Sequence, residues 1–463
     1  MKYTTSFIIF LAFLISACNN SKPESDQLPT LSISENGRYM VTESGDPFFW
    51  LGDTGWLLFK KLTREESVQY LEDRKSKGFN VIQVMVIHAL NSPVNTYGDS
   101  AFINMDLKQP LVTPGYDFEN ADQYDYWDHI EYVIKMAEER GIYMALVPIW
   151  GSNVKAFPLT SADGAYYGKW LAERYSSYNN IIWLNGGDVF GTDSMDFWKA
   201  LGNGLNDNDE KHLITFHPRG RTQSSTWFHN EPWLDFNMIQ SGHRRYDQDD
   251  TEKCFGEDNW RYIEEDYNLI PVKPTIDGEP SYEHIPQGLH DPKEPLWTDD
   301  DVRRYAYWSV FAGAFGFTYG HNEIMQFYRE GDPASYGGFQ TWQEAMDAPG
   351  ATQMIHLKDL MLSRPYLERV PDQAIISGDP GIQYSRLLAT RGVRYAFIYT
   401  YTGKEIKVNM GRIAGEKVSA SWFNPRNGSY TEIGEFENNG VKTFNPPGEE
   451  KEGNDWVLVL DSK

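Results

Sequence analysis

Residues 126–149, YWDHIEYVIKMAEERGIYMALVPI, hold the pattern that decides the fold. The first part, residues 126–140, is predicted to be a helix, because apolar side chains recur at helical spacing. These side chains belong to Trp127, Ile130, Ile134 and Ala137. Gly141 is a typical helix-stop residue, and the apolar run at 142–149 predicts a buried strand. The segment is therefore one helix–strand unit.

This unit repeats along the chain, where short runs of Val, Ile and aromatic residues alternate with helical patterns. Eight runs are predicted strands: 48–51, 80–87, 142–149, 180–184, 213–216, 236–239, 274–276 and 316–319. Alternating strands and helices favour a parallel sheet, and eight repeats favour its closure into a (β/α)8 TIM barrel of the α/β class. An open doubly wound sheet is the alternative, but its glycine-rich phosphate turn after the first strand is missing from this sequence.

The barrel is predicted to lie within a two-domain chain. Alternation and turn signals at 31–49 predict a β-hairpin that leads into a barrel domain covering residues 31–367. Residues 368–463 differ in pattern, with short strands predicted at 394–400, 418–423 and 456–460 between turns. This second region is predicted to be a small all-β sandwich.

The N-terminus predicts export. Residues 7–15, FIIFLAFLI, are an apolar run shorter than the roughly 20 residues that span a bilayer, which is typical of a signal peptide. Small residues precede Cys18 as in a bacterial lipoprotein cleavage site, so residues 1–18 are predicted to be a lipoprotein signal peptide with Cys18 lipidated. Residues 19–30 would form a flexible tether to the outer membrane, at its periplasmic face or the cell surface. A plain secretory peptide is the alternative.

The amino-acid composition restricts the class of molecule that the protein can bind. The formal net charge of -24 argues against a nucleic acid, whose phosphates would be repelled. Aromatic residues make up 15% of the chain, and their flat faces suit the C–H faces of sugar rings. An acidic, aromatic-rich, exported chain therefore favours a saccharide partner.

Polar residues follow the predicted strands, where the active site of a TIM barrel is built. The predicted substrate-binding residues among them are Asp53, Trp56, His88, Trp150, Asn185, His217, His243 and His321. Burying so many polar groups costs stability unless they pair with one another or with a ligand. Their convergence at one rim therefore predicts a polar ligand site.

Two carboxylates at this rim, Asp188 after strand four and Glu279 after strand seven, are the predicted catalytic pair. Glycoside hydrolysis needs one protonated carboxyl group and one ionised carboxylate on either side of the scissile bond. Alternatively, Asp188 caps a helix starting near Thr192, and Glu279 pairs with an arginine. The rival carboxylates are Asp53, Asp277, Glu283 and Glu323.

Five short motifs in order resemble the apiosidase-like glycoside hydrolases, which are TIM-barrel enzymes of Bacteroidetes, classified in glycoside hydrolase family 140 and related to the retaining clan A. The motifs are GDTGW, WLNGGD, TFHPRG, DGEP and FTYGHN, and the resemblance covers about residues 31–366. It implies that Asp188 is the acid/base and Glu279 the nucleophile, and that the predicted substrate-binding residues line a sugar pocket. The wider clan has Asn directly before a catalytic Glu, whereas here Asn185 precedes Asp188 by three residues. The C-terminal region resembles a β-domain named for collagen binding.

The sequence, with this resemblance, therefore predicts a retaining glycoside hydrolase that needs no cofactor or metal. Its predicted substrates are plant glycans or other complex glycans, and the family name suggests apiose-containing pectic ones. Two other classes of protein stay open. A metal-dependent hydrolase would gather His88, His217, His243 and His321 around an ion. A non-catalytic surface glycan-binding lipoprotein would bind saccharide without turnover.

Overall fold

The computed structural model describes residues 27–120, 122–333 and 335–463. The predicted signal peptide, Cys18 and most of the predicted tether lie outside the described residues. Within the described ranges, no helix has both the length and the apolar character needed to cross a membrane.

Eight parallel strands form a nearly closed barrel, which confirms the predicted fold class. In chain order they are Trp50–Thr54, Val81–Met85, Tyr143–Val147, Ile181–Val189, Ile214–Pro218, Asn237–Gln240, Thr275–Asp277 and Gly316–Tyr319. Strand one pairs with strands two and eight, and a short ninth strand, Thr222–Gln223, runs antiparallel to strand six. Strands five and six meet through the Thr215 hydroxyl, which donates to the Phe236 carbonyl at 2.6 Å.

Side chains alternate between the barrel interior and the surrounding helices, as the two-residue period of a strand requires. In strand four, Ile182 and Leu184 belong to the inner apolar cluster, whereas Ile181 and Trp183 belong to the outer one. The Trp183 indole donates to Asp209 at 3.0 Å. Trp183 therefore packs between the barrel strands and the helices and does not line the active site.

Helices pack around the strands. They are Leu58–Lys61, Arg64–Ser76, Tyr126–Glu138, Ser152–Ala156, Ser161–Tyr175, Met195–Asn206, Ser225–Phe228, Asn259–Tyr267, Asp299–Ala312, Asn322–Met325, Trp342–Ala345 and Pro349–Leu362. Tyr126–Glu138 begins with a capping box formed by Asp125 and Asp128, and its apolar face is buried as the sequence indicates.

Two strand boundaries differ from the sequence prediction. Phe48 belongs to a small antiparallel sheet in which it pairs with Met40, so the first barrel strand begins at Trp50 and continues through Thr54. Strand four continues from the predicted 180–184 to Val189 because its glycines permit a bulge that keeps it paired with strand five. Both strands therefore include polar residues that the sequence pattern assigns to loops.

The remaining strands form separate antiparallel sheets. The N-terminal sheet contains Leu31–Ile33, Met40–Thr42 and Pro47–Phe48. In the C-terminal region, six strands form one sheet in the order Val370–Pro371, Leu388–Arg391, Tyr395–Thr400, Trp456–Ser462, Lys417–Phe423 and Tyr430–Glu437. Ile406–Asn409 and Val441–Phe444 pair separately.

The C-terminal sheet packs against helix Asp299–Ala312 of the barrel. Arg303 forms a buried ion pair with Asp455, with Nε 3.0 Å from Oδ2. Tyr307 stacks on Tyr399 with ring centroids 4.8 Å apart. Because apolar residues of both regions share one buried cluster, the β-domain supports the barrel wall directly.

Candidate active site

A cavity of about 360 Å³ opens at the C-terminal ends of the barrel strands. This volume lies within the range of about 300–1,000 Å³ that is usual for small-molecule sites. Asp188 and Glu279 both line it, and they are the only carboxylates among the described residues that do so. The structure therefore brings the two predicted catalytic side chains into one cavity.

Glu279 follows strand seven and lies at the cavity floor, with 6% of its surface exposed. Its Oε2 lies 3.0 Å from Nε2 of His217, and its Oε1 lies 3.3 Å from Nε2 of His243. Burial alone would raise the pKa of this carboxyl group, but hydrogen bonding and positive charge from the two histidines outweigh burial and lower the pKa to about 2. Glu279 is therefore ionised at neutral pH.

His217 connects the two carboxylate residues. The backbone N–H of Asp188 donates to Nδ1 of His217 at 3.4 Å. Because Nδ1 accepts this hydrogen bond, the proton of a neutral ring lies on Nε2, the atom that faces Glu279. One imidazole thus holds the position of strand four relative to Glu279.

Asp188 reaches the cavity from a bulge in strand four. The pairing with strand five shifts between Gly186 and Val189, and Asp188 has a left-handed backbone with φ of 51°. Gly187 has φ of 112°, and a Cβ there would lie 2.7 Å from the Trp150 ring. The Gly-Gly pair is therefore required for the close approach that turns Asp188 toward the cavity.

The Asp188 carboxyl group differs electrostatically from that of Glu279. Its side chain is 40% exposed, and Oδ2 lies 3.9 Å from Nη1 of Arg219. Desolvation and the negative charge of Glu279 raise its pKa, against the opposing effects of Arg219 and His217. Two carboxyl groups whose pKa values are driven apart are the arrangement that acid and nucleophile require.

Aromatic rings form one wall of the cavity. The rings of Trp56 and Trp150 lie 5.3 Å apart, and each also contacts His217. The Trp56 indole donates to the Tyr282 hydroxyl at 3.1 Å, and burial followed by the Glu279 charge holds the pKa of Tyr282 well above its usual value. Tyr282 is therefore a neutral phenol beside the carboxylate.

His88 also lines the cavity. Burial and the neighbouring Lys60 lower the pKa of His88 to about 4. The ring is therefore neutral near pH 7 and suited to hydrogen bonding with a sugar hydroxyl.

Asp53 and Asn185 do not line the cavity, which corrects their predicted role as sugar contacts. Strand one continues through Thr54, and alternation turns Asp53 outward, where Oδ2 pairs with Arg74 at 2.8 Å. The Asn185 amide donates to the Trp198 carbonyl at 2.8 Å, while its oxygen accepts from Gly186. Both residues therefore connect their strands to the surrounding helices.

His321 is also placed elsewhere, because it lines a second cavity together with Glu283. Its Nδ1 lies 3.2 Å from Oε2 of Glu323. Asp277, the remaining rival carboxylate, is buried in strand seven and accepts from the Ser241 hydroxyl at 2.7 Å. The rivals of the catalytic pair therefore have other contacts.

The structural alternatives for the pair are also resolved. The helix after strand four begins at Met195 with Ser194 at its N-cap, so Asp188 does not cap it. Glu279 pairs with histidines and not with an arginine. Because His321 is separated from the other three, the four rim histidines do not surround one point.

Several lining residues were missed by sequence reasoning. Arg219, Arg221, Arg244, Tyr282 and Tyr336 all line the cavity, and Arg219 lies beside Asp188. Arg219 lies within the quoted strand-five motif, Arg221 directly follows it, and Tyr282 follows the strand-seven motif, so proximity to those motifs was an available signal. Tyr336 lies in the long segment after strand eight, where no pattern indicates its position.

The barrel, its cavity and the relatives of the chain define the class of protein: it is a TIM-barrel glycoside hydrolase. The chain belongs to the apiosidase-like family, whose model, "Apiosidase-like, catalytic domain", matches residues 34–368. A second model, "Putative collagen-binding domain of a collagenase", matches residues 370–461. Classification in glycoside hydrolase family 140 stays a prediction.

Solved structures support this assignment. A structure described as a glycoside hydrolase is 48% identical, with a TM-score of 0.88 over 95% of this chain and 98% of that one. A glycoside hydrolase family 5 structure from Bacteroides vulgatus ATCC 8482 is 46% identical, with a TM-score of 0.88 over 94% of this chain and 93% of that one. Among curated proteins, no significant match was found.

The contacts of Glu279 predict a change in pH dependence. In the variant His243→Asn, the carboxylate loses one of its two imidazole partners, so the pKa of Glu279 should rise. Because a nucleophile must be ionised, we expect the acidic limb of the kcat/KM profile to move to higher pH. His290→Asn, which changes another lining histidine, is the matched control and should leave that limb in place. An unmoved limb in His243→Asn would contradict this account of the Glu279 pKa.

Proposed function

We propose that the chain is a retaining glycoside hydrolase in which Glu279 is the nucleophile and Asp188 the acid/base. The observation that carries the proposal is the shared cavity in which these two carboxyl groups have pKa values shifted in opposite directions. The buried, ionised carboxylate suits attack on carbon. The partly buried carboxyl group of Asp188, with its raised pKa, suits proton transfer to a leaving oxygen.

The reaction proceeds in two displacements. An oxygen of Glu279 attacks the anomeric carbon as the bond to the leaving oxygen breaks, and the proton of Asp188 moves to that oxygen. Water then enters, Asp188 takes its proton, and the resulting hydroxide displaces Glu279 from the sugar. Each step ends with one carboxyl group protonated or esterified, so the charge of the site is conserved through the cycle.

The substrate is proposed to be a plant glycan, with an apiose-containing pectic chain as the specific candidate. Three guanidinium groups, those of Arg219, Arg221 and Arg244, line the cavity. Arg221 lies 3.6 Å from Asp249 and Arg244 lies 2.6 Å from Asp250, so Arg219 is the one best placed to meet a ligand. Arg219 is 45% exposed, and its only carboxylate contact among the described residues is Asp188 itself at 3.9 Å. In an acidic protein, this cationic rim favours a leaving group that carries carboxylates, such as the uronates of pectin.

The catalytic roles predict different behaviour for two variants. Glu279→Gln should lower kcat by more than about 10³-fold on every substrate, because no nucleophile remains. Asp188→Ala should lower kcat by about 10²–10⁴-fold on natural linkages but much less on aryl glycosides with good leaving groups, which need little protonation.

Azide separates retention from inversion in the same assay. Added azide should restore turnover of Asp188→Ala and yield a glycosyl azide with the anomeric configuration of the substrate. Wild-type turnover should release a sugar of that same configuration, measured by NMR at early times. An inverted product, or near-wild-type rates for Glu279→Gln, would contradict the proposed mechanism.

The cationic rim predicts selectivity for charged leaving groups. Arg219→Gln should raise KM by roughly 10–100-fold on a substrate with a uronate leaving group, because one charge-assisted hydrogen bond is lost. On the methyl-esterified form of the same substrate, KM should change little. Equal effects on both forms would contradict recognition of the carboxylate by Arg219.

The chain is further proposed to be exported and anchored in the outer membrane through lipidated Cys18. In cells, Cys18→Ser should move the protein from the membrane fraction to a soluble one. Cys254→Ser, which changes the exposed cysteine of the described residues, should leave the distribution unchanged. Membrane retention of the Cys18→Ser protein would exclude this anchor.

A further inference from the structure

A second cavity, of about 450 Å³, lies beside the active site. The segments after strands seven and eight form part of it, and helix Trp342–Ala345 contributes its opposite edge. The segment after strand seven faces both cavities: Tyr282 and Ile285 line the catalytic one, whereas Glu283 and His284 line the second. The two cavities therefore share one wall.

Three potential metal ligands meet at the edge of this second cavity: His284 and His321 line it, and Glu323 is buried in contact with both. One ligand atom each of His284, His321 and Glu323 lies within 4.8 Å of the other two. Oε2 of Glu323 lies 3.0 Å from Nδ1 of His284 and 3.2 Å from Nδ1 of His321. Two donors bound to one tetrahedral Zn²⁺ at about 2.0–2.2 Å would lie about 3.3–3.6 Å apart, so the ligand atoms need to separate by only a few tenths of an ångström to hold the ion.

His321 contacts Glu323 through Nδ1. Its Nδ1 accepts from the backbone N–H of Glu323 at 3.4 Å, so this nitrogen is a lone-pair acceptor. The same atom faces the carboxylate oxygen of Glu323 at 3.2 Å. The N–H contact is long, so a metal ion bound at Nδ1 would replace this hydrogen bond.

Charge in the cavity favours a cation as well. Glu283 and Glu323 are 6% and 0% exposed. Among the described residues that line the cavity there is no lysine or arginine. Both carboxyl groups have hydrogen-bond partners, since Glu323 contacts the two imidazoles and Glu283 accepts from the Tyr319 hydroxyl and the Gly350 N–H. A divalent ion would add the positive charge that no lysine or arginine supplies here.

The backbone around His284 is held in place for ligation. His284 has φ of 66°, a left-handed conformation that is unfavourable for a residue with a Cβ. The Glu283 N–H donates to the Gly320 carbonyl at 2.9 Å, and the Asn322 N–H donates to the Glu283 carbonyl at 3.0 Å. These bonds fix the His284 segment beside the segment that carries the other two ligands.

We propose that His284, His321 and Glu323 bind a divalent transition-metal ion such as Zn²⁺, which joins the segment after strand seven to the segment after strand eight. Imidazole and carboxylate ligands suit such an ion. Because the ion would lie in the wall that the two cavities share, its role would be to hold that wall together. The ion lies outside the catalytic cavity and takes no part in bond cleavage. This inference is independent of the proposed mechanism and substrate.

Zinc binding by the tag-free full chain tests the proposal. After chelation and dialysis, the protein should take up one Zn²⁺ per chain, measured by mass spectrometry of the metal, and its Tm should rise because the ion binds the folded state. Bound Co²⁺ should show the visible d–d absorption of low-coordinate nitrogen and oxygen ligation.

A half-buried histidine outside both cavities provides the control. His284→Gln should weaken Zn²⁺ binding by more than the roughly 10–100-fold that loss of an outer partner of a metal ligand costs. His356→Gln, on helix Pro349–Leu362, should bind Zn²⁺ as the wild type does. Glu323→Gln, which conserves side-chain shape, should also lose Zn²⁺ and the Co²⁺ absorption while keeping the wild-type circular dichroism.

The contrary results are equally specific. No stoichiometric Zn²⁺ uptake by the wild type would identify the cluster as a hydrogen-bonded carboxylate–histidine pair without metal. Uptake that survives in His284→Gln and Glu323→Gln would place the ion elsewhere. Either result overturns the proposal.

Discussion

The active site depends on an ionised carboxylate held in a buried position. Glu279 has almost no contact with solvent, and burial opposes its charge. The imidazoles of His217 and His243 reverse this effect at 3.0 and 3.3 Å. Because both histidines come from neighbouring barrel strands, the charge of Glu279 ties together the rim formed by strands five, six and seven.

The same constraint extends to strand four. His217 can direct Nε2 toward Glu279 because its Nδ1 accepts the backbone N–H of Asp188. That N–H is available because the Gly-Gly bulge turns the chain inward at Asp188. The side chain of Asp is shorter than that of Glu, and the bulged backbone brings the Asp188 carboxyl group into the cavity. The bulge therefore accounts physically for the spacing between Asn185 and Asp188.

The structure places some of the predicted strand-end residues at the cavity and others away from it. Trp56, His88, Trp150 and His243 line the cavity as the motifs indicate. Asp53 and Asn185 occur in equally polar motifs, yet they face outward because their strands extend further than the apolar pattern shows. His321 lies beyond its strand and turns into a neighbouring cavity. Whether a side chain faces the cavity depends on the alternation of side chains along its strand. That alternation depends in turn on the residue at which strand pairing ends.

The sequence by itself determined the barrel, the order of its strands and the presence of two carboxylates at its rim, since these follow from local periodicity and from the order of polar strand ends. Only the tertiary structure decided which polar residues face the cavity, how the pKa values of Asp188 and Glu279 diverge, and that His284 joins His321 and Glu323. The physical reason is distance along the chain. Burial, charge and lone-pair contacts act between residues that are far apart in sequence and meet only when the sheet closes.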